Sequence, residues 1–252
     1  MKLIRQFAAV LWLAVSLLAA EPPKGERVLV TAHSFHIFTA QRLAPLAKAA
    51  GIEGHELVAA QMIGGSQVIQ HWKLEGERQK AKPLLTEGKV DVMTMSPHVY
   101  LPDEGINNFV ELGAKHNPQM RFLVQHSWMP WDGWEGTDKI AKPEDRDGRS
   151  LDIVRAANLK WRTTLEAQIK GLNQKLGRDA VFITPVGDAV IKLRELIAAG
   201  KAPGLTKHTD LFTDLIGHGK EPILALATYC NFACIYKVSP VGLKVPNAAL
   251  DK

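Results

Sequence analysis

The sequence predicts an α/β protein, a three-layer α/β/α sandwich around a central, mainly five-stranded parallel sheet. Five short apolar runs alternate with segments of helical sequence. The runs are continuous rather than alternating with polar residues, as is typical of parallel strands that are covered on both faces. Helix stops separate them clearly, among them Gly51, Gly88 and Asn117-Pro118.

Each predicted element follows from these runs and stops. The strands are predicted at residues 27–32, 57–63, 90–95, 120–124 and 180–184. The helices are predicted at residues 39–50, 77–87, 105–116, 151–176, 188–199 and 222–238. Right-handed crossovers favour a central first strand, so we expect a flavodoxin-like strand order.

Residues 1–20 are predicted to be a secretory signal peptide. Lys2 and Arg5 form a basic start, residues 7–19 are almost wholly apolar, and the stretch ends in small residues. The apolar run is short for a membrane span, which leaves an uncleaved anchor helix as the alternative. We expect a periplasmic or secreted protein with no stable membrane insertion after cleavage. Residues 21–252 suit one domain.

The charge and the cysteines argue against nucleic-acid binding and against a cysteine metal site. The formal net charge is +5, of which Lys2 and Arg5 contribute two. No basic stripe is evident, so nucleic acid is not an expected partner. Cys230 and Cys234, spaced one helical turn apart in an apolar segment, are interpreted as buried free thiols, because a metal site needs more ligands.

The longest irregular stretch is residues 127–150, which contains Trp128, Trp131 and Trp134. An irregular segment of this length in one domain is usually functional. Its tryptophans predict either one wall of a cleft, where aromatic faces stack on sugar rings, or a hydrophobic lid on the sheet edge.

Polar residues follow every predicted strand. In a parallel sheet the carboxyl ends of the strands meet at one edge, where such folds bind ligands. Four of the nine histidines collect at these ends. The residues concerned are His33, Ser34, His36, Gly65, Ser66, His98, Gln125, His126 and Asp188. A metal site built from His33, His36, His98 and His126 lacks a recognisable ligand spacing, so no metal is expected.

Ser34 is the candidate nucleophile for acyl transfer. That chemistry needs a base, an orienting carboxylate and donors for the oxyanion. His218 is the candidate base and Asp214 the candidate orienter, and the backbone N–H groups of Ser34 and Gly65 are candidate donors. The alternatives are a helix N-cap for Ser34 and a surface position for His218.

Three sequence blocks resemble those of SGNH (GDSL-type) hydrolases, in a branch common among exported bacterial proteins. The blocks are His33-Ser34-Phe35-His36, Gly64-Gly65-Ser66-Gln67-Val68-Ile69-Gln70-His71-Trp72, and residues 214–218 followed by a helix and Ser239-Pro240-Val241-Gly242-Leu243. The resemblance spans most of residues 21–252. It implies that Ser34 is the nucleophile, Gly65 the second oxyanion donor and His218 the base.

Two departures from the family pattern bear on the chemistry. The family supplies an Asn side chain as an oxyanion donor after the third strand, whereas this chain has Ser96-Pro97-His98 there. Gln125 is the first candidate to replace it, with His98 second. The family's Asp and His are also one residue closer in sequence than Asp214 and His218, so Asp210 is an alternative orienter.

These observations predict an exported serine esterase that cleaves O-acyl esters of small molecules or carbohydrates. His33, His36, His98 and Trp128 are predicted to contact the substrate, although His33 and His36 also fit ordinary turn residues. The chemistry requires no cofactor. The alternative is a catalytically weak or inactive binding protein that keeps the same fold, which the missing Asn favours.

Overall fold

The computed structural model describes residues 21–134 and 138–243. The predicted signal peptide, residues 1–20, lies outside the described residues. The five strands are β1 (Arg27–Ala32), β2 (Glu56–Met62), β3 (Val92–Met95), β4 (Arg121–Gln125) and β5 (Val181–Thr184). They form one sheet in the order β2-β1-β3-β4-β5, and every neighbouring pair is parallel. The predicted five-stranded parallel sheet and its flavodoxin-like order are confirmed.

Helices cover both faces of this sheet. In chain order they are α1 (Thr39–Ala49), α2 (Val68–Trp72), α3 (Ala81–Thr86), α4 (Glu104–His116), α5 (Asp145–Gly148), α6 (Leu151–Leu176), α7 (Val186–Ala198) and α8 (Glu221–Tyr236). Helices α1 and α8 pack on one face, and α2, α3, α4 and α6 pack on the other. Helix α7 contacts α6 and α8. The result is the predicted three-layer sandwich.

The central strand β1 explains why its sequence is continuously apolar. Val28 and Val30 point into the core beneath α1 and α8, whereas Leu29 points into the core on the opposite face. All three side chains are fully buried. Because successive strand residues face opposite sides, a strand covered on both faces must be apolar at every position.

The helix predicted at residues 77–87 begins instead at Ala81, because the Gln79 side chain ends the preceding loop. Its Oε1 accepts the backbone N–H groups of Ala81 and Lys82, at 3.2 and 3.1 Å. Its Nε2 lies within hydrogen-bond distance of three carbonyl groups, those of His71 and Trp72 at the end of α2 and that of Leu74. A side chain that satisfies the first N–H groups of a helix fixes where that helix starts.

Helix α2 was not predicted, and a distant carboxylate holds its first turn. Buried Asp103 accepts the backbone N–H groups of Val68 and Ile69 at 2.6 and 2.9 Å, and also that of Gly105 at 2.9 Å. The same carboxylate therefore caps the start of α2 and of α4. Five residues are too few to show a helical hydrophobic period, so this helix depends on a tertiary contact.

In residues 127–150, called the tryptophan segment below, the structure describes two short elements outside residues 135–137. A 3₁₀ turn spans Pro130–Asp132, and α5 spans Asp145–Gly148. Within the described residues, no helix combines the length and the apolar character needed to cross a membrane.

Candidate active site

Ser34 lies in a tight turn directly after β1. The backbone N–H groups of His36 and Ile37 both donate to the carbonyl of His33. The His33 ring adds a further bond, because its Nδ1 accepts the N–H of Phe35 at 3.2 Å. This turn leaves the Ser34 side chain half-buried at the carboxyl edge of the sheet, where open α/β sheets bind their ligands.

A continuous chain of hydrogen bonds joins Ser34 to Asp214 through His218. His218 Nε2 lies 2.9 Å from Ser34 Oγ, and His218 Nδ1 lies 2.6 Å from Asp214 Oδ2. Since an ionised carboxylate can only accept, Nδ1 carries the proton and Nε2 is left to accept the Ser34 hydroxyl proton. The arrangement therefore places a base against a hydroxyl group and a carboxylate behind the base.

The pKa of Asp214 lies below its usual value. Burial raises this pKa, but hydrogen bonds from the His218 ring and from the backbone N–H groups of His218 and Gly217 more than offset that effect. Asp214 is consequently a carboxylate at neutral pH. It can orient the imidazole ring and stabilise the imidazolium that forms when His218 takes a proton.

The additional residue between Asp214 and His218 is accommodated by Gly217. Asp214 Oδ1 accepts the N–H groups of Gly217 and His218 at 2.8 and 3.0 Å, and Gly217 adopts a φ of +103°. Glycine tolerates this conformation without steric cost. Asp210 is committed elsewhere, because its Oδ2 accepts the backbone N–H groups of residues 206–207. Asp214 is thus the carboxylate that pairs with His218.

A cavity of about 370 Å³ opens beside Ser34 and His218. Most of its wall is apolar, and none of the described residues that line it is an Asp, Glu, Lys or Arg. The apolar wall includes Pro97, Val99, Trp128, Trp131, Trp161 and Ile216. A pocket with apolar walls and a few polar groups at one end is the usual form of a small-molecule site.

His33 and His98 lie in the wall of this cavity, as predicted for substrate contacts. The His33 Nε2 is 3.3 Å from the carbonyl of Pro97, and burial lowers the pKa of His33 to about 4. The His98 ring stacks on Tyr100 with centroids 5.0 Å apart, and burial lowers its pKa as well. Both rings are therefore neutral parts of the wall near pH 7.

Trp128 also lines the cavity and connects it to the base. Its ring stacks on Phe35 with centroids 4.6 Å apart and planes 10° apart. Its Nε1 donates to the carbonyl of Gly217 at 2.7 Å. Phe35 in turn meets the His218 ring edge-on at 5.3 Å. Trp128 thus contacts both the nucleophile turn and the loop that carries the base.

Two predicted site residues do not reach the cavity. His36 is fully buried and does not line the cavity, so it cannot contact a substrate there. Gln125 is also fully buried, and its amide group donates to the carbonyl of Phe35 at 2.9 Å and to Ser127 Oγ at 2.7 Å. With both amide hydrogens in use, Gln125 has none to offer an oxyanion. It supports the nucleophile turn from below.

The two predicted backbone donors lie at the cavity. Ser34 and Gly65 both line it, and neither backbone N–H group donates to another described residue. Gly65 adopts a φ of +58°, and a Cβ at this position would meet nothing within 4 Å. Its conformation, rather than a close approach, is therefore what favours glycine here.

A buried serine–histidine pair supports the glycine turn, and its role was not predicted. Ser66 Oγ donates to the carbonyl of Ile63 at 2.9 Å and lies 2.8 Å from His71 Nε2. Burial lowers the pKa of His71 to about 4, so His71 is neutral near pH 7. The sequence signal for this role was the position of His71 in the Gly-Gly…His-Trp block. The side chains of Ser66 and His71 brace the turn that presents Gly65.

No protein-family model matches this chain, and no curated protein sequence matches it. Among solved structures, it is similar to a DUF4886 family protein from Bacteroides uniformis, with 14% identity and a TM-score of 0.57 over 91% of this chain and 89% of that one. It is also similar to a protein provisionally described as an SGNH hydrolase from Slackia heliotrinireducens. That match has 13% identity and a TM-score of 0.50, over 84% of this chain and 99% of that one.

Proposed function

We propose that this chain, which has the SGNH hydrolase fold that the sequence resemblance predicted, is an exported serine esterase that cleaves O-acyl esters. One observation carries the proposal, the unbroken hydrogen-bond chain from Ser34 through His218 to Asp214 at the mouth of a cavity. Export rests on the sequence of residues 1–20.

The proposed reaction is acyl transfer in two halves. In the first, Ser34 Oγ attacks the ester carbonyl while its proton passes to His218 Nε2. The tetrahedral intermediate collapses, the C–O bond to the alcohol breaks, and His218 returns the proton to that alcohol. In the second, water attacks the acyl-serine by the same route and releases the carboxylic acid. No cofactor or metal takes part in these steps.

The oxyanion is proposed to bind the N–H groups of Ser34 and Gly65. With Gln125 excluded, His98 is the remaining candidate for a side-chain donor. Its ring lines the cavity, and its Nδ1 has no hydrogen-bond partner among the described residues. One oxyanion donor is typically worth on the order of a hundredfold or more in rate, so this position affects how fast the enzyme is.

The cavity supports a neutral substrate. Its wall holds three tryptophan rings and none of the described lining residues is ionised Asp, Glu, Lys or Arg. Aromatic walls suit either the apolar face of a sugar ring or an apolar acyl group. We therefore propose small-molecule or carbohydrate esters as the substrate class.

A non-catalytic binding protein is the second candidate. It is favoured by one observation, which is that the family's third oxyanion donor has no confirmed replacement. Such a protein would keep the cavity and bind a neutral ligand without turning it over.

Kinetics on a panel of short-chain aryl esters separates the two candidates. We expect Ser34→Ala and His218→Ala each to lower kcat by about a thousandfold or more, because nucleophile and base act as a unit. Asp214→Asn should cost less. His116→Ala, an exposed histidine at the end of α4, serves as the matched control and should leave kcat unchanged. Wild-type hydrolysis no faster than that of Ser34→Ala would favour the binding protein.

A further inference from the structure

The loop that carries the base contains no regular secondary structure. Residues 212–219, called the acid–base loop, contain no helix, and one isolated bridge between Phe212 and Gly219 closes it. Asp214 and His218 side chains are 42% and 37% exposed. The internal hydrogen bonds of the loop, such as those from Gly217 and His218 to Asp214, hold its shape. Its position relative to Ser34 depends on the support of contacts with other segments of the chain.

That support comes from the tryptophan segment, which binds four consecutive carbonyl groups of the loop. Two of the donors are Trp128 Nε1, which donates to Gly217, and the backbone N–H of Trp131, which donates to Ile216 at 2.9 Å. The other two belong to one side chain. Arg146 donates from Nη1 to the carbonyl of Asp214 and from Nη2 to that of Leu215, both at 2.8 Å.

The Arg146 side chain is buried and is held in place by several contacts. It lies on α5 and is 1% exposed, and its guanidinium carbon lies 4.6 Å from the centre of the Phe212 ring. Its Nε lies 3.7 Å from Asp132, which also pairs with the equally buried Arg194 at 2.7 Å. The planar guanidinium can bond two adjacent carbonyls at once, which a lysine ammonium does less well. A Cβ on Gly217 would lie only 3.1 Å from Arg146 Nη2.

We propose that Arg146 is a positioning residue, which acts through the carbonyls of Asp214 and Leu215 to hold His218 against Ser34. The inference rests on the proposed function. It makes the tryptophan segment both a wall of the cavity and the support of the base. Misplacing a catalytic group by about 1 Å can cost about a hundredfold in rate.

Arg194 provides a matched control. It is as deeply buried as Arg146 and pairs with the same Asp132, but it makes no bond to the acid–base loop among the described residues. Replacing either arginine with methionine should lower thermal stability to a similar degree. Both variants are therefore compared with wild type at a temperature at which all three are folded.

Aryl-ester kinetics on the full chain provides the first test. Arg146→Met should lower kcat by about a hundredfold with little change in KM, whereas Arg194→Met should change kcat less than about threefold. Arg146→Lys should recover part of the loss, because lysine can still donate to one carbonyl. Equal kcat losses in Arg146→Met and Arg194→Met would overturn the proposal. If Arg146→Met does not fold, kcat is compared between Arg146→Lys and Arg194→Lys instead, and the larger loss is again expected for Arg146.

Amide hydrogen exchange tests the inference without relying on activity. The N–H groups of Gly217 and His218 donate to Asp214 Oδ1 and report on the loop. They should exchange at least about tenfold faster in Arg146→Met than in Arg194→Met. If wild type hydrolyses no ester, the proposed function fails, and this measurement still decides whether Arg146 holds the loop. Equal exchange in the two variants would refute that role.

Discussion

The nucleophile and its base are held in opposite ways. The Ser34 turn is fixed by backbone bonds that span a few residues, and buried Gln125 supports it from below. The acid–base loop instead depends on donors from the tryptophan segment, which precedes it by about seventy residues. The nucleophile turn is thus closed by short-range backbone bonds over a buried interior, whereas the acid–base loop is more exposed and is held by a segment distant in sequence. Changes to the loop should therefore reduce activity, whereas changes below Ser34 should reduce stability.

Gly217→Ala, in the acid–base loop, is expected to lower kcat more than substitutions beneath the nucleophile turn. Gly217 has a φ of +103°, and an added Cβ would approach Arg146. Strain of this kind costs roughly 1–3 kcal/mol and should be relieved by movement of the loop. We expect kcat on an aryl ester to fall more than about tenfold, measured at a temperature at which the variant is folded.

Gly171→Ala is the matched control for this glycine substitution. Gly171 is exposed in α6, and a Cβ there would meet nothing within 4 Å. Alanine should stabilise the helix by about 0.5–1 kcal/mol and leave kcat unchanged. If Gly217→Ala kept full kcat, the backbone geometry of the acid–base loop would not control the position of His218.

A smaller change in activity is expected below the nucleophile. Gln125→Leu leaves the carbonyl of Phe35 without its Gln125 donor and one N–H of the Asn231 amide without its acceptor, while the other N–H still donates to Ala227. Each unsatisfied buried group costs about 1–3 kcal/mol, so the free energy of unfolding in urea should fall by at least that much. In the folded variant, kcat should fall less than in Gly217→Ala.

Asn231→Leu separates the Phe35 contact from the rest of the network. It removes the bond to Gln125 Oε1 and leaves the bond from Gln125 to Phe35. Its kcat should stay closer to that of wild type than the kcat of Gln125→Leu. If kcat fell more in Gln125→Leu than in Gly217→Ala, activity would depend more on the support of the Ser34 turn than on the acid–base loop. That result would contradict the difference drawn between these two regions.

Acid should lower the stability of the fold through buried histidines near the nucleophile and the glycine turn. Burial lowers the pKa of His33 and His71 to about 4 and that of His36 to about 3, below the usual 6.5. The unfolded chain therefore binds more protons between pH 6.5 and 4. The stability that these neutral rings contribute is present above pH 6.5 and is lost as the pH falls toward 4.

We expect the free energy of unfolding to fall by about 1 kcal/mol or more between pH 7 and pH 4.5, as measured by urea denaturation. His71→Gln should make the pH dependence shallower, because one buried titrating ring is removed. A stability that is constant or rises on acidification would show that these rings are not held in their neutral form.

The sequence predicted Ser34 and Gly65, and also Asp214 and His218, because each of them lies in a short recognisable block. An apolar strand followed by Ser34, and a glycine turn after the next strand, place two groups at one sheet edge once the sheet is parallel. The strand order followed from handedness, and the five strands and most helix bounds lie within two residues of their predicted positions.

The remaining parts depend on contacts between residues far apart in sequence. Gln125 follows a strand as a donor would, but Phe35, Ser127 and Asn231 use its polar atoms in the interior. Arg146 lies in a stretch that reads as charged loop, and its burial against the acid–base loop leaves no periodic signal. Helix α2 likewise depends on Asp103, which lies more than thirty residues downstream.

His218 should make Ser34 nucleophilic, and a serine-directed fluorophosphonate tests this without knowledge of the substrate. The reagent should add one phosphonyl group per wild-type chain, and peptide mapping should place it on Ser34. Labelling should be lost in Ser34→Ala and much slower in His218→Ala, while His116→Ala should label at the wild-type rate. A folded wild-type protein that remains unlabelled, or that is labelled at another residue, would show that Ser34 is not an activated nucleophile.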